Sequence, residues 1–151
     1  MTRAYVGLGS NLGDRDQAIR DALDLLGRRV ELVAVSSLRE TEPWGHADQP
    51  SFVNAAAVVE TELSPRELLA ELLDIERELG RQRDAGPRYG HRTIDLDLLL
   101  YGDAFVDEPG LVVPHPHLHE RRFALEPLHE LDPALVVPGC GPVSDLLAAL
   151  H

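Results

Sequence analysis

Asp95 and Asp97, in the stretch GHRTIDLDLLLYG (residues 90–102), are the two side chains whose type and spacing most directly imply chemistry. The stretch reads as a strand, and strand side chains alternate faces, so both carboxylates point the same way, about 6.5–7 Å apart. At an effective dielectric of about 20 they repel by about 2.5 kcal/mol. A divalent cation relieves that repulsion, either shared or as one of two ions about 3.5–4 Å apart. The plainer reading is a solvated face whose aspartates keep a sheet edge soluble. Ile94, Leu96, Leu98 and Leu100 make the other face apolar, which predicts a central strand backed by helices, where Asp is disfavoured unless it has a function. Just upstream stand Arg81, Arg83, Arg88 and Arg92. Ion pairing would occupy some of them, but four arginines on a Gly-punctuated loop exceed what two aspartates require. A cation flanked by guanidinium forks grips a polyphosphate.

The rest of the composition narrows that chemistry. All 14 Lys+Arg residues are arginines, so a P-loop lysine, a Schiff-base lysine and a kinase-type lysine are excluded. Phosphate chemistry here must run on arginine and metal. A net charge of −12 argues against general nucleic-acid binding, which rewards a basic face. Cys140 is the sole cysteine, which rules out an intrachain disulfide, a CxxC pair and a Cys-rich zinc site. No apolar run reaches the roughly 18–20 residues that span a bilayer, and the opening MTRAYVGLGSN lacks the apolar core of a secretory leader. A cytoplasmic location and a monomer are the default expectations.

These residues must be positioned by a small number of elements. AYVGLG (4–9) reads as a buried strand, followed by the loop SNLGDR and a helix from about Asp14 to Gly27 with Ile19, Leu23 and Leu26 on one face. Strands are expected at 30–38 and 51–61. Ser64, Pro65 and Glu67 form a capping box that opens a second helix, with Leu68, Leu72, Ile75 and Leu79 as its stripe and Gly80 at its end. The aspartate strand follows, and the last third is Pro- and His-rich with short elements and a closing helix at 143–150. The order βαββαβ is that of an α+β ferredoxin-like sandwich, a largely antiparallel sheet with helices on one face, and one domain over 1–151.

At RYGHRTIDLDLL the sequence resembles the 6-hydroxymethyl-7,8-dihydropterin pyrophosphokinases of folate biosynthesis, with Arg88, Gly90, Arg92, Asp95, Asp97 and the aliphatics Leu96, Leu98 and Leu99 in place. AYVGLGSNLGDR, TEPWGHADQPSFVNAA and VPHPHLHERRFALEPLHEL resemble further family segments in order and spacing, covering nearly the whole chain. The resemblance implies transfer of the terminal pyrophosphoryl unit of ATP to the pterin hydroxymethyl group with release of AMP, using two Mg²⁺ ions on a ferredoxin-like fold. It assigns both ions to Asp95 and Asp97 and the catalytic arginines to Arg81 and Arg92. Further ATP contacts are implied for Arg83, Tyr89, His115 and Arg121, with Leu73, Glu76 and Leu98 around the adenosine. Thr41, Pro43, Trp44 and Asn54 match the pterin pocket, and Phe52 and Phe123 the rings that sandwich the bicycle. His91 departs from the family's small residue or Pro, and Gly110, Val112 and Pro116 stand where an Arg, a Thr and a Tyr are usual. Loss of that arginine implies a weaker phosphate or ribose contact. Gly80, Gly86 and Gly90 would permit the loop closure expected of the family.

The residues alone leave other readings open. A Phe is by itself a core residue before it is a stacking platform. GLGSNLG gives G-x-G-x-x-x-G, one residue too long for a dinucleotide fingerprint, and reads as a tight strand-to-helix turn with Asn11 and Asp14 as caps. HPHLH sets His115, His117 and His119 at alternate positions, but Pro116 breaks the strand geometry a zinc site would need. Another Mg²⁺-dependent phosphotransferase or nucleotide hydrolase, or a non-catalytic nucleotide-binding module of the same fold, would use the same aspartates.

Overall fold

The chain opens as β1 (Thr2–Ser10), with Tyr5, Val6 and Leu8 buried, the spine of the sheet in the computed structural model, which describes residues 1–11, 14–41, 52–82 (Arg81 and Gln82 through their backbone) and 94–150. Asp14 then caps α1 (Arg15–Gly27), its carboxylate accepting from the Gln17 amide at 3.1 Å. β2 (Glu31–Val35) and β3 (Arg39–Thr41) replace the single strand expected over 30–38. The chain breaks at Ser36, whose hydroxyl accepts from the Ala56 amide at 2.9 Å and so bridges the gap in the ladder. β4 (Phe52–Thr61) is followed by α2 (Pro65–Gln82), opened by the capping box as expected: the Ser64 amide donates to Glu67 Oε1 at 2.8 Å, and the Glu67 amide to Ser64 Oγ at 3.1 Å. Gly80 does not end this helix. It lies within the last turn, where nothing approaches the position of a Cβ.

β5 (Asp95–Tyr101) completes a sheet in the order β2-β4-β1-β5, all pairs antiparallel, with β3 also on β4. The four long strands and two helices give the βαββαβ order of a ferredoxin-like α+β fold. β5 is therefore an edge strand, not the central one its apolar face implied. A register shift opposite Tyr5 and Val6 inserts an extra residue at Leu99, so Leu100 leaves the face of Leu96 and Leu98 and joins Leu99 on the other.

The sheet separates two cores. On one side Val6, Leu8, Val59, Leu96 and Leu98 pack against Ile19 and Leu26 of α1 and Leu68, Leu72 and Ile75 of α2. Arg29, just past α1, ties the two helices by bonding Glu71, Asp74 and Glu78 of α2 at 3.0, 2.8 and 3.1 Å. The other side is not bare. After the β6 (Val106–Glu108) and β7 (Leu111–Val113) hairpin and a 3₁₀ turn at Leu118–Glu120, α3 (Arg122–Leu131) lies across it. Leu125 and Leu128 of α3 pack there with Tyr5, Val58 and Leu100, and with Val137 and Val143. Val137 belongs to a short β8 (Val136–Val137) and β9 (Gly141–Pro142) pair, and Val143 opens α4 (Val143–Ala148). Helices thus cover both faces, correcting the one-face expectation. Gly110 turns the β6–β7 hairpin at φ +77°, a left-handed position that favours glycine.

Candidate active site

Beside the start of α3 the second face of the sheet opens into a cleft of about 900 Å³. β5 supplies Asp95 and Asp97, whose side chains both face it, as their spacing predicts. Opposite them on β1 stand glycines: Asp97 pairs with Gly7 and Asp95 with Gly9. One strand further, Gly9 pairs with Asn54 of β4, and Asn54 with Arg39 of β3. Asp95, Gly9 and Asn54 therefore form one transverse row, about 10 Å from acid to amide at ordinary strand spacing.

The edge position of β5 revives the plain reading of its aspartates as solubilising groups, and the geometry answers it. The outward amide of Leu96 is already taken by Glu76 Oε2 of α2 at 2.6 Å, and the Leu99 carbonyl accepts from the His115 amide at 3.0 Å. The edge is covered by other means, while the aspartates stand perpendicular to it, over the cleft. Asp97 is half-buried there and Asp95 exposed. Two carboxylates on one face fit Mg²⁺ shared with a polyphosphate, since that ion takes one or two carboxylates and completes its shell with phosphate and water oxygens.

The segment after β7 forms the opposing wall with His115, Arg121 and Phe123. His115 is half-buried, and burial holds its imidazole below the usual histidine range against the pull of Asp97, with Arg121 and His117 adding to the depression. Its Nδ1 accepts from the His117 amide at 3.3 Å, so the neutral ring carries its proton on Nε2 as a donor. The Arg121 guanidinium sits 5.6 Å from the centre of the Phe123 ring, within cation–π range. His117 Nδ1 lies 3.1 Å from Glu120, and its ring centre 6.3 Å from that of His115. Among the described residues no three His, Cys, Asp or Glu side chains gather as a metal cluster.

At the far end of the row the Asn54 amide, 6% exposed, donates to Thr41 Oγ1 at 2.8 Å. Phe52 pairs with Thr41 across β3 and β4 and lines the same cleft. Of the three phenylalanines none is a core residue: Phe52 is half-buried, and Phe123 and Phe105 are 40% and 69% exposed. The cleft thus unites Asp95, Asp97, His115, Arg121, Thr41, Phe52, Asn54 and Phe123. Leu73, Glu76 and Leu98 do not line it. Leu73 lies exposed on α2, Glu76 is spent on the Leu96 amide, and the Leu98 side chain is buried on the helix side, so contact with a ligand in the cleft is left to its backbone. Pro43, Trp44, Arg83, Tyr89 and Arg92, and the side chain of Arg81, lie outside the described residues, as do Arg88, Gly86, Gly90 and His91.

Two features of the site went unread in the sequence. Gly7 and Gly9 lie within β1, in line with the strand expected over 4–9, and neither has a positive φ, so the turn read over GLGSNLG begins only after them and does not account for them. Their signal was a glycine inside a strand, which marks close approach rather than a bend. The second is Glu130 of α3, which accepts from the Ser37 amide and hydroxyl, both at 2.8 Å, and from Arg39 at 2.9 Å. It fastens the β2–β3 connection, and with it the strand carrying Thr41, to the helix. These bonds, the Ser37 amide foremost, hold its carboxyl below the usual glutamate range. A depressed carboxyl contributes stability above its unfolded pKa and loses it as pH falls through the folded one. Glu130→Gln is expected to cost about 1 kcal/mol near neutral pH, discounted for a partly exposed group. Denaturant unfolding of both proteins should show that difference shrinking below about pH 4.

The model of the 7,8-dihydro-6-hydroxymethylpterin-pyrophosphokinase family matches residues 5–133. The chain is 49% identical over 149 residues to the 2-amino-4-hydroxy-6-hydroxymethyldihydropteridine pyrophosphokinase of Pseudomonas aeruginosa, covering 97% of this chain and 91% of that one. With the enzyme of the same name from Bacillus subtilis it shares 46% over 130 residues, covering 85% and 77%. A solved Plasmodium falciparum HPPK-DHPS structure superposes with a TM-score of 0.77 at 15% identity, over 97% of this chain but 45% of that one, so this chain spans less than half of that protein and the likeness speaks for the fold. Matched by the family model over most of its length, and close to half identical to bacterial pyrophosphokinases, the chain belongs to the 7,8-dihydro-6-hydroxymethylpterin-pyrophosphokinase family.

Proposed function

We propose that this chain, as one domain, transfers pyrophosphate from ATP to the hydroxymethyl group of 6-hydroxymethyl-7,8-dihydropterin, giving AMP and the pterin diphosphate for folate synthesis. The observation that carries the reading is the row Asp95–Gly9–Asn54, which sets an acid pair and an amide at two ends of one cleft. A flat pterin laid over β1 presents its amide-like edge to Asn54 and Thr41, and its exocyclic carbon then extends toward the aspartates. Phe52 and Phe123 supply aromatic faces for the bicycle. Asp95 and Asp97 would hold two Mg²⁺ ions, whose charge, when bound, is supplied to the triphosphate oxygens. Neutral His115 offers an Nε2 donor and Arg121 a guanidinium to the nucleotide from the opposite wall. Arg81 and Arg92 are assigned to the charge that develops on the transferred group and on AMP. Transfer through a loose transition state is mostly positioning and charge stabilisation, and asks little of a general base.

A cytoplasmic location accords with the folate substrates, and no described helix is long and apolar enough to cross a membrane. Incubating the protein with ATP and Mg²⁺, with and without the pterin alcohol, tests the whole reading. AMP formed only when the pterin is present is the expected result. ADP as the product, or nucleotide turnover indifferent to the pterin, would identify a different phosphotransferase or a hydrolase. Nucleotide binding without turnover would identify a binding module.

A further inference from the structure

A glycine inside a paired strand carries a cost in chain entropy and packs nothing, so its presence calls for a reason. Backbone conformation is not that reason at Gly9, since the positive-φ glycines are Gly102, Gly110, Gly139 and Gly141. Space is. A Cβ built on Gly9 would stand 2.9 Å from Asn54 Oδ1, closer than real Cβ atoms come to such an atom. The amide has little room to yield, because Asn54 is 6% exposed and its nitrogen is engaged by Thr41 Oγ1 at 2.8 Å. Gly7, two residues earlier and facing the same cleft, differs in kind. Its Cβ would meet the Leu99 methyl carbon Cδ1 at 3.2 Å, the end of an aliphatic side chain that can shift by a few tenths of an ångström.

We propose that Gly9 is a positioning residue for pterin recognition: the missing methyl lets the Asn54 amide lean over β1 in the orientation that meets the pterin edge, and leaves the floor between Asn54 and Asp95 flat enough for the bicycle. Gly9 itself donates no side-chain group to the substrate. It acts through Asn54, and the inference rests on the assignment of Asn54 to the pterin. A methyl group at this position pushes the amide oxygen away, turns the amide out of register with the ligand and breaks its bond to Thr41. The nucleotide half of the cleft, built from β5 and the wall after β7, does not touch this contact.

The test is a double-mutant cycle in the full chain, using Gly9→Ala, Asn54→Ala and the pair. Each protein is assayed for pterin KM and kcat, for binding of a non-hydrolysable ATP analogue with Mg²⁺, and for thermal midpoint. Gly9→Ala is expected to raise the pterin KM by roughly tenfold to a hundredfold, the range for a misaligned buried hydrogen-bond pair, with ATP-analogue affinity within about twofold of wild type. In the Asn54→Ala background the added methyl should change the pterin KM by less than about twofold, because the atom it displaces is gone. A severe Asn54→Ala with a silent Gly9→Ala overturns the role of Gly9 and leaves the pterin pocket standing. A Gly9→Ala penalty of equal size in both backgrounds overturns it too, as the mark of a general strand defect. A pterin KM unmoved by Asn54→Ala overturns the pocket assignment and the inference with it. Should Gly9→Ala alone fail to fold, the pair decides: recovery of folding by Asn54→Ala places the clash where the structure has it, and no recovery overturns the proposal.

Discussion

Asp97→Asn is expected to lower turnover by about two to four orders of magnitude, the scale on which phosphoryl-transfer sites lose their charge clamp. The substitution keeps the shape of the side chain and removes one negative charge from a pair fixed on one face of β5. The half-buried Asp97 looks into the cleft from a rigid ladder, opposite Gly7 on β1. Relief of the repulsion with Asp95 works in favour of the folded state, so the thermal midpoint should stay level or rise slightly. The rate loss should be accompanied by a higher Mg²⁺ requirement, and Asp95→Asn should follow in the same direction. Initial rates across a Mg²⁺ titration, with unfolding followed in parallel, separate this from a folding defect. Turnover within tenfold of wild type would remove the acid pair from the mechanism.

Leu125→Ala is the counterpart on the stability side. Leu125 is fully buried where α3 meets the sheet, in a cluster with Tyr5, Val58 and Leu100. Truncation there removes three carbons and leaves a cavity under a helix that can collapse only in part, at an expected cost of about 3 kcal/mol. For a domain of this size that corresponds to a fall of roughly 6–12 °C in thermal midpoint. The effect should reach the cleft, because Arg121 and Phe123 lie within one turn of Leu125 on the same helix start. A looser α3 should raise the pterin KM more than it lowers kcat. Scanning calorimetry and steady-state kinetics read the two effects, and a midpoint shift under about 2 °C would mean that α3 is not docked as described.

What the sequence disclosed follows the range of the forces involved. The capping box at Ser64 and Glu67, the Asp14 cap, the α2 stripe and the shared face of Asp95 and Asp97 were readable because each is a local pattern fixed by one element's period. The features missed are those that depend on a neighbour. The extra residue at Leu99 is set by the register of β1 against β5, and alternation counted along one strand carries Leu100 to the wrong face. The edge position of β5 is a fact of sheet order, invisible in its apolar composition. α3 was hidden by Pro127 within it, although a proline in so short a helix leaves enough apolar positions to dock. Gly9 was placed in the strand over 4–9, but the reason for a glycine there lies on another strand, in the position of Asn54 Oδ1. Of the site, the acids were nameable by type and spacing, while the imidazole and the aromatic rings were named only through the family resemblance. Their convergence was not legible, since it required the second helical layer.

The two cores on opposite sides of one sheet have a practical consequence for anyone wishing to harden this enzyme against heat. The α1–α2 side holds much of the buried hydrocarbon and none of the side chains assigned to the pterin pocket. A thermostabilisation campaign aimed at Leu26 of α1 can therefore leave the pterin pocket untouched. Changes at Phe52, Asn54 or Phe123, by contrast, alter the lining of the cleft itself.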